Sequence, residues 1–309
     1  APNFQFILDA LASKDTVPKE NHIDLRINSI LIRRSHLSYD LLTAPSTPGK
    51  FNTNHIDIND LSAMLSLKAL TSDSINAHIR RMSFTEHSGF RLNQLSVGVM
   101  CNRHSLNTLK FTAELPHSTL KIDTLAAQFT DISQLTSLSD TLVYRGRLHA
   151  SITLADLQAF VPAFSEVTNP LQAGIAFSGK GKKASLSYLH VHTPDEGLKI
   201  DINGKIDASN PAREPRFYSQ IKEVGISREG ISWLFRNFAG KDDSPSVLKN
   251  TESIRFNGEI SGVPSLVTMH GNISSDAGTI RANVTMQQDT LTQARSYSGQ
   301  IAIIQIGRA

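Results

Sequence analysis

The side chains that could do chemistry do not form a recognisable catalytic or metal-binding pattern. His190 and His192 fall on one face of a predicted strand, as two metal ligands would, but no third ligand follows at a usual spacing. Asp242 and Asp243 lie in a polar loop, and residues 195–197 are typical of a hairpin turn. The sequence contains no nucleophile elbow, zinc-protease helix, phosphate loop or dinucleotide glycine pattern. We therefore predict that the chain is not an enzyme and holds no metal or cofactor.

Cysteine content and charge exclude further functional classes. Cys101 is the only cysteine, which rules out an intramolecular disulfide and a cysteine-cluster zinc site. The 309 residues include 31 basic and 28 acidic side chains, and no basic tract carries interleaved aromatic residues, so we expect no nucleic-acid partner. The basic cluster at residues 180–183 lies between two alternating runs and predicts a hairpin tip.

The most regular feature is a phrase in which an apolar, a polar, a glycine, a polar and an apolar residue follow one another. Such alternation predicts a strand with the glycine and both apolar residues on one face. Glycine weakens a strand, so its recurrence on the apolar face needs a cause. Two causes remain open: a thin apolar interior that something approaches closely, or an ordinary sandwich core that is tight at these places. The phrases are centred on Gly146, Gly204, Gly258, Gly271 and Gly299.

Three strands are predicted to bend. The similar segments 58–62, 92–96 and 122–126 follow one another at steps of 34 and 30 residues. In each, the period-two alternation contains one step of three, as at a β-bulge, which keeps a single face apolar along a long strand. Self-similarity at this spacing favours an elongated stack of units over a globule.

Helical spacing occurs in three places. Apolar residues repeat at helical intervals in residues 3–11, in 153–164 with Thr153 as the N-cap, and in 227–238 with Ser227 as the first residue. The second and third helices could cover the sheet or lie on a membrane surface, and we favour covering because any core-covering helix has such a stripe. No apolar run approaches the roughly 18 residues of a membrane span, and no signal peptide opens the chain.

These patterns predict a mostly β fold: an elongated, curved antiparallel sheet that forms a groove, with a few short amphipathic helices. The length suffices for two domains. We expect a segment with bent strands at residues 1–140 and a β-groove segment with two capping helices at residues 141–309. A groove with one apolar wall suits acyl chains. The predicted lining follows from alternation alone and comprises Ile202, Ile206, Phe256, Ile260, Met269, Ile273, Ile280, Val284, Ile301 and Ile303.

Several of these motifs also resemble a known family. The bent-strand units, the glycine-centred strands, residues 23–28 leading to 37–40, and the segment 152–164 are similar to the AsmA-like/TamB group of large envelope proteins. They are most similar to the versions found in Bacteroidetes-type bacteria. The motifs span most of the chain but each is degenerate, so the resemblance lies in their number and order.

The resemblance implies a long periplasmic protein with a taco-shaped sheet whose apolar groove carries phospholipid acyl chains from the inner towards the outer membrane. It also implies an inner-membrane anchor that this sequence does not contain. We expect the chain to be an internal fragment, since it begins without Met and stops just after the alternating run 301–306. An outer-membrane barrel protein would be a further partner, through regions absent here. No catalytic residue carries over from the family.

Two other functions remain open. The first is an assembly or translocation module that assists outer-membrane or secreted proteins by pairing its edge strands with theirs. The second is a carbohydrate-acting β-solenoid, against which the aromatic content of 6% argues.

Overall fold

The chain forms one continuous antiparallel sheet. A computed structural model describes residues 24–71, 74–131, 133–195, 197–231, 251–289, 292 and 294–306. In these residues fifteen strands follow one another in chain order, each paired with the next, and the sheet is curved and unclosed. The strands are β1 Asp24–Asp40, β2 His55–Thr71, β3 Ser74–Glu86, β4 Arg91–Asn102, β5 Ser105–Glu114, β6 Thr119–Gln128, β7 Val143–Thr153, β8 Pro170–Lys180, β9 Lys183–His192, β10 Leu198–Asp207, β11 Arg216–Ser227, β12 Ser253–Val263, β13 Leu266–Ser275, β14 Gly278–Gln288 and β15 Arg295–Ile306.

Helical structure is confined to the connections between strands. Helix α1 spans Gln134–Ser137, two 3₁₀ helices span Leu154–Leu157 and Pro162–Phe164, and residues 228–231 form a first helical turn. The predicted fold class, a curved antiparallel sheet with a few short helices, is therefore confirmed.

The predicted boundary between two domains, after residue 140, falls between β6 and β7. These two strands pair with each other, so the sheet continues across the boundary. The division into two domains stays a prediction. Neighbouring strands lie about 4.8 Å apart, so the sheet is about 67 Å wide across its strands.

The predicted strand bends are confirmed. Strand pairing shifts between Asn59 and Ser62 in β2, at residues 92–95 in β4, and between Ile122 and Thr124 in β6. Asp60, at the first of these bulges, has a positive φ of 54°. Each extra residue lets the strand turn without moving its apolar side chains to the other face.

Asp60 provides a test of the bulge. Asp60→Val should lower the free energy of unfolding by about 1–2 kcal/mol, because a β-branched residue adopts the left-handed conformation only with strain. Asn59→Val is the matched control, since the neighbouring side chain is also exposed and valine favours extended backbone. Urea unfolding measures both variants, and equal midpoints would show that the bulge does not impose the left-handed conformation.

The predicted helix at residues 153–164 is wrong in type. Two separate 3₁₀ helices occupy this stretch, and the Thr153 side chain makes no capping hydrogen bond. Its hydroxyl donates instead to the carbonyl of His117 (3.3 Å). Asp156, the expected capping-box partner, accepts hydrogen bonds from the β5–β6 turn. Contacts to the neighbouring turn therefore replace the local pattern that would have started an α-helix.

The other helix predictions have different outcomes. Ser227 precedes a helical turn, as predicted. Its hydroxyl accepts a hydrogen bond from the Gly230 N–H (3.2 Å), which is the usual contact of an N-cap residue. The remainder of that helix, the helix predicted at residues 3–11, and Asp242 and Asp243 lie outside the described residues. The basic cluster at residues 180–183 forms the tip of the β8–β9 hairpin, as predicted.

The most deeply buried large side chains lie at the strand ends, whereas the fully buried apolar residues within the strands are mostly alanines. Leu142 and Val167 are the most deeply buried large side chains, with 2% and 0% of their surface exposed. Leu142 packs with Ala127 and Phe129 at the connection that carries α1, and Val167 lies between β7 and β8. Large apolar side chains within the strands are mostly half-buried. The sheet therefore carries its main apolar surface outside a closed core.

Candidate functional site

One face of the sheet is apolar from strand to strand. Residues that lie directly opposite each other in antiparallel strands project from the same face, so the pairing shows which side chains share it. On β1 to β4 such a row contains Ile30, Leu65, Ile79 and Val97. From β5 to β15 a second row contains Phe111, Ile122, Leu148, Ile175, Leu189, Ile202, Ile221, Gly258, Gly271, Ala282 and Ile301.

The opposite face is polar and more exposed. On β12 and β13 the side chains of Asn257, Glu259 and His270 are exposed, whereas the apolar Phe256 and Ile273 beside them are half-buried. Side chains crowd together on the inside of a curved sheet and spread apart on the outside. The difference in exposure therefore indicates that the apolar face lies on the inside of the curve.

No described strand covers the apolar face. Among the described strands, extensive contact occurs only between neighbours in the sheet. A sandwich core would need a second layer about 10 Å away, with side chains from both layers interdigitating. The part of the chain that the structure describes does not supply such a layer.

All ten residues of the predicted lining lie on this face. Phe256 faces Ile273, Ile260 faces Met269, and the other members continue these rows across β10 to β15. None is fully buried, and Ile301 and Ile303 on β15 are 68% and 70% exposed. Their shared face agrees with the expectation from alternation. That they contact lipid stays a prediction.

The lining predicted from the sequence omits most of the first eleven strands. The face also includes residues of β5, β9 and β11, and in β9 and β11 the apolar side chains step by three at 186–189 and 221–224. Bulges at these steps hide the alternation from a strict period-two pattern. The same step of three that revealed the bends in β2, β4 and β6 would have located them.

Glycines on this face make room for aromatic rings of the neighbouring strand. A Cβ atom at Gly146 would overlap the ring of Phe177, which lies directly opposite. A Cβ atom at Gly271 would lie 2.5 Å from the ring of Phe256 and would also overlap the carbonyl oxygen of Asn257. Close approach is therefore confirmed as the reason for glycine at these two positions. The approaching group belongs to the sheet itself.

The segment between β7 and β8 packs against two strand connections at one end of the sheet. This segment, residues 154–167, is called the cap below. The Phe160 ring packs 5.0 Å from Phe51 and 5.1 Å from Phe90, measured between ring centroids. The Phe51 N–H donates to the Ala159 carbonyl (2.9 Å), which joins the β1–β2 loop to the cap. The segment therefore packs on strand connections through residues of two 3₁₀ helices and the chain between them, and that it covers the sheet stays a prediction.

A buried carboxylate fastens the cap to the β5–β6 turn. Asp156 has a side chain that is only 4% exposed. It accepts hydrogen bonds from the His117 N–H (2.9 Å) and the Ser118 hydroxyl (2.6 Å), and His117 Nδ1 lies 3.0 Å from its second oxygen. These donors compensate the cost of removing a carboxylate from water.

The described histidines take part in no recognisable metal site. Within the described residues, no group of three or more His, Cys, Asp or Glu side chains is placed to hold a metal ion. His190 stacks on Tyr188, and its Nδ1 lies 3.3 Å from Asp201 on the polar face.

Among the described residues, no helix is long and apolar enough to cross a membrane.

The resemblance to AsmA-like/TamB proteins stays an expectation from the sequence motifs. The motifs recur in order along the chain, but each is short and tolerant of substitution. No protein-family description, curated protein or solved structure matches the chain.

Proposed function

We propose that the chain is part of a periplasmic bridge-like protein whose apolar groove carries phospholipid between the inner and outer membranes, supporting outer-membrane biogenesis. In this proposal the full-length protein is of the AsmA-like/TamB type and is anchored in the inner membrane. One observation carries the proposal: the apolar face continues across fifteen strands, and no second layer covers it in the described residues.

Acyl chains fit such a surface physically. An apolar area of this extent is unfavourable in water, and large exposed patches mark binding sites for apolar partners. Each methylene removed from water contributes about 0.8 kcal/mol, so an acyl chain that buries about a dozen methylenes gains about 10 kcal/mol. The headgroup would remain at the strand ends, in contact with water. Because the two rows described above contain no charged residue, a chain could slide along them without meeting a desolvated charge.

The proposal predicts loss of bound lipid when charge is placed on the apolar face. Ile260→Asp combined with Ile273→Asp should lower the co-purifying phospholipid at least about tenfold, because a carboxylate at each site disfavours contact with a methylene chain. Native mass spectrometry with lipid extraction, on protein purified from cells, measures the occupancy. Circular dichroism and urea unfolding establish that the variant is folded.

The polar face offers a matched control. Asn257→Asp combined with Thr268→Asp adds the same charge to the same two strands, and the two positions have the same relative spacing. This protein should retain its lipid. Unfolding of the Ile260/Ile273 variant would show that these positions are core. A lipid-free wild-type protein with a slowly exchanging interior would also refute the proposal.

A second candidate function has its own supporting observation. All twelve residues of β15 are exposed, and no described strand pairs with its outer side. Such an edge could bind a strand of an outer-membrane or secreted protein. This function requires the backbone edge and not the groove, so the Ile260/Ile273 variant would retain activity, whereas a proline in β15 that removes an outward N–H would abolish it.

A further inference from the structure

We propose that one end of the sheet docks on the surface of a phospholipid bilayer. The docking surface, called the apolar rim below, consists of Tyr39, Leu41 and Leu42 at the β1–β2 loop and Phe160 and Val161 in the cap. Leu42 is 88% exposed and Tyr39 is 50% exposed. The other three are also exposed. A cluster of large apolar side chains on a protein surface marks an interaction site when its members adjoin one another.

The exposure of Leu42 is not the result of a loosely held loop. The Ala44 N–H donates to the Leu41 carbonyl (2.9 Å), which closes a turn with Leu42 at its tip. The Leu41 N–H donates to the Asn54 carbonyl (2.8 Å), and His55 Nε2 lies 3.0 Å from the Ala44 carbonyl. The turn is thus held on both sides. The leucine at its tip is presented to solvent by a fixed backbone.

The two parts of the rim form one surface. The β1–β2 and β7–β8 connections both follow odd-numbered strands, so they lie at the same end of the antiparallel sheet. The Phe51–Phe160 ring contact and the hydrogen bond from Phe51 to Ala159 join them directly. The rim also continues into the apolar face, because Tyr39 pairs with Ile56 on that face.

The composition of the rim and its surroundings favours a bilayer as the partner. The loop 41–54 contains Lys50 and no carboxylate. The Asp40 carboxylate is 54% exposed and is hydrogen-bonded to His55, and this hydrogen bond raises the pKa of His55 above its ordinary value. Asp156 is buried in the cap, which leaves Glu166 as the exposed carboxylate of that segment. Tyrosine, phenylalanine and leucine beside a lysine are typical of side chains that enter the interface of a membrane with anionic lipids.

Flotation with vesicles of phosphatidylethanolamine and phosphatidylglycerol tests the docking. Leu41→Ser combined with Leu42→Ser should weaken vesicle binding about tenfold or more, because two exposed leucines no longer enter the apolar layer. The control is Leu138→Ser combined with Leu266→Ser, which removes two leucines of 41% and 44% exposure at the opposite end of the sheet. The control should bind vesicles as the wild type does.

Three results would overturn the docking: a wild-type protein that does not float, equal binding by the Leu41/Leu42 variant and the wild type, or an equal loss in both variants. A wild-type dimer that this variant dissociates would assign the rim to a second copy of the chain instead. The role of docking in lipid uptake rests on the proposed function, but vesicle binding does not. Retention of co-purified lipid by the Leu41/Leu42 variant separates a failure of docking from a failure of the groove.

Discussion

Gly271→Ala should lower the free energy of unfolding by about 3 kcal/mol, although it adds a single methyl group. The new Cβ would lie 2.5 Å from the ring of Phe256 and would overlap the carbonyl oxygen of Asn257. The ring could rotate away, but the carbonyl belongs to the paired backbone of β12 and moves only if the strands separate. Overpacking against a fixed neighbour costs about 1–3 kcal/mol and sometimes more. Urea unfolding followed by circular dichroism measures the loss.

Gly225→Ala is the matched control for this prediction. Gly225 also lies within a strand, but the nearest atom to an added Cβ is a Glu223 side-chain oxygen at 3.5 Å, an ordinary contact distance. Its stability should stay within about 0.5 kcal/mol of the wild type. Equal stability of the two variants would show that strand approach at Gly271 does not require glycine. The apolar face would then be less tightly built than the structure indicates.

Asp156→Ala should release the cap and lower the free energy of unfolding by about 3 kcal/mol. The substitution removes the carboxylate acceptor of the His117 N–H and of the buried Ser118 hydroxyl, which is left with the Thr153 carbonyl at 3.3 Å. Hydrogen bonds to a charged group contribute about 1.5–3 kcal/mol each. The rings of Phe51 and Phe160 should separate as the cap moves. Limited proteolysis and hydrogen exchange of residues 154–167 detect that movement.

Glu166→Ala controls for loss of a carboxylate from the same segment. Glu166 is exposed, and removing its charge should change stability by less than about 0.5 kcal/mol. The contrary result would be equal protection of the cap from proteolysis and hydrogen exchange in the Asp156 and Glu166 variants. That result would mean that the aromatic contacts alone hold the cap in place. In that case the hydrogen bonds from the β5–β6 turn would be dispensable.

Local patterns were sufficient for the strands and several of their bends. Period-two alternation places Phe256 and Ile260 on one face whatever the neighbouring strand is, because side chains of a strand point alternately to its two sides. The step of three from Ile58 to Leu61 likewise predicted the bulge that the structure contains. The prediction of an α-helix at residues 153–164 was wrong because a distant contact decides the structure there. Asp156 bonds to a turn that precedes it by almost forty residues, and no local pattern contains that partner.

The sequence by itself determined that the chain is mostly strand, that each strand has one apolar side, and where several strands bend. Only the tertiary structure decided that the strands pair in chain order, that their apolar sides merge into one uncovered face, and that the cap joins the β1–β2 loop at one end. The physical reason is the range of the interactions. Alternation is set by the geometry of a single backbone, whereas pairing order, curvature and capping depend on contacts between residues far apart in the chain.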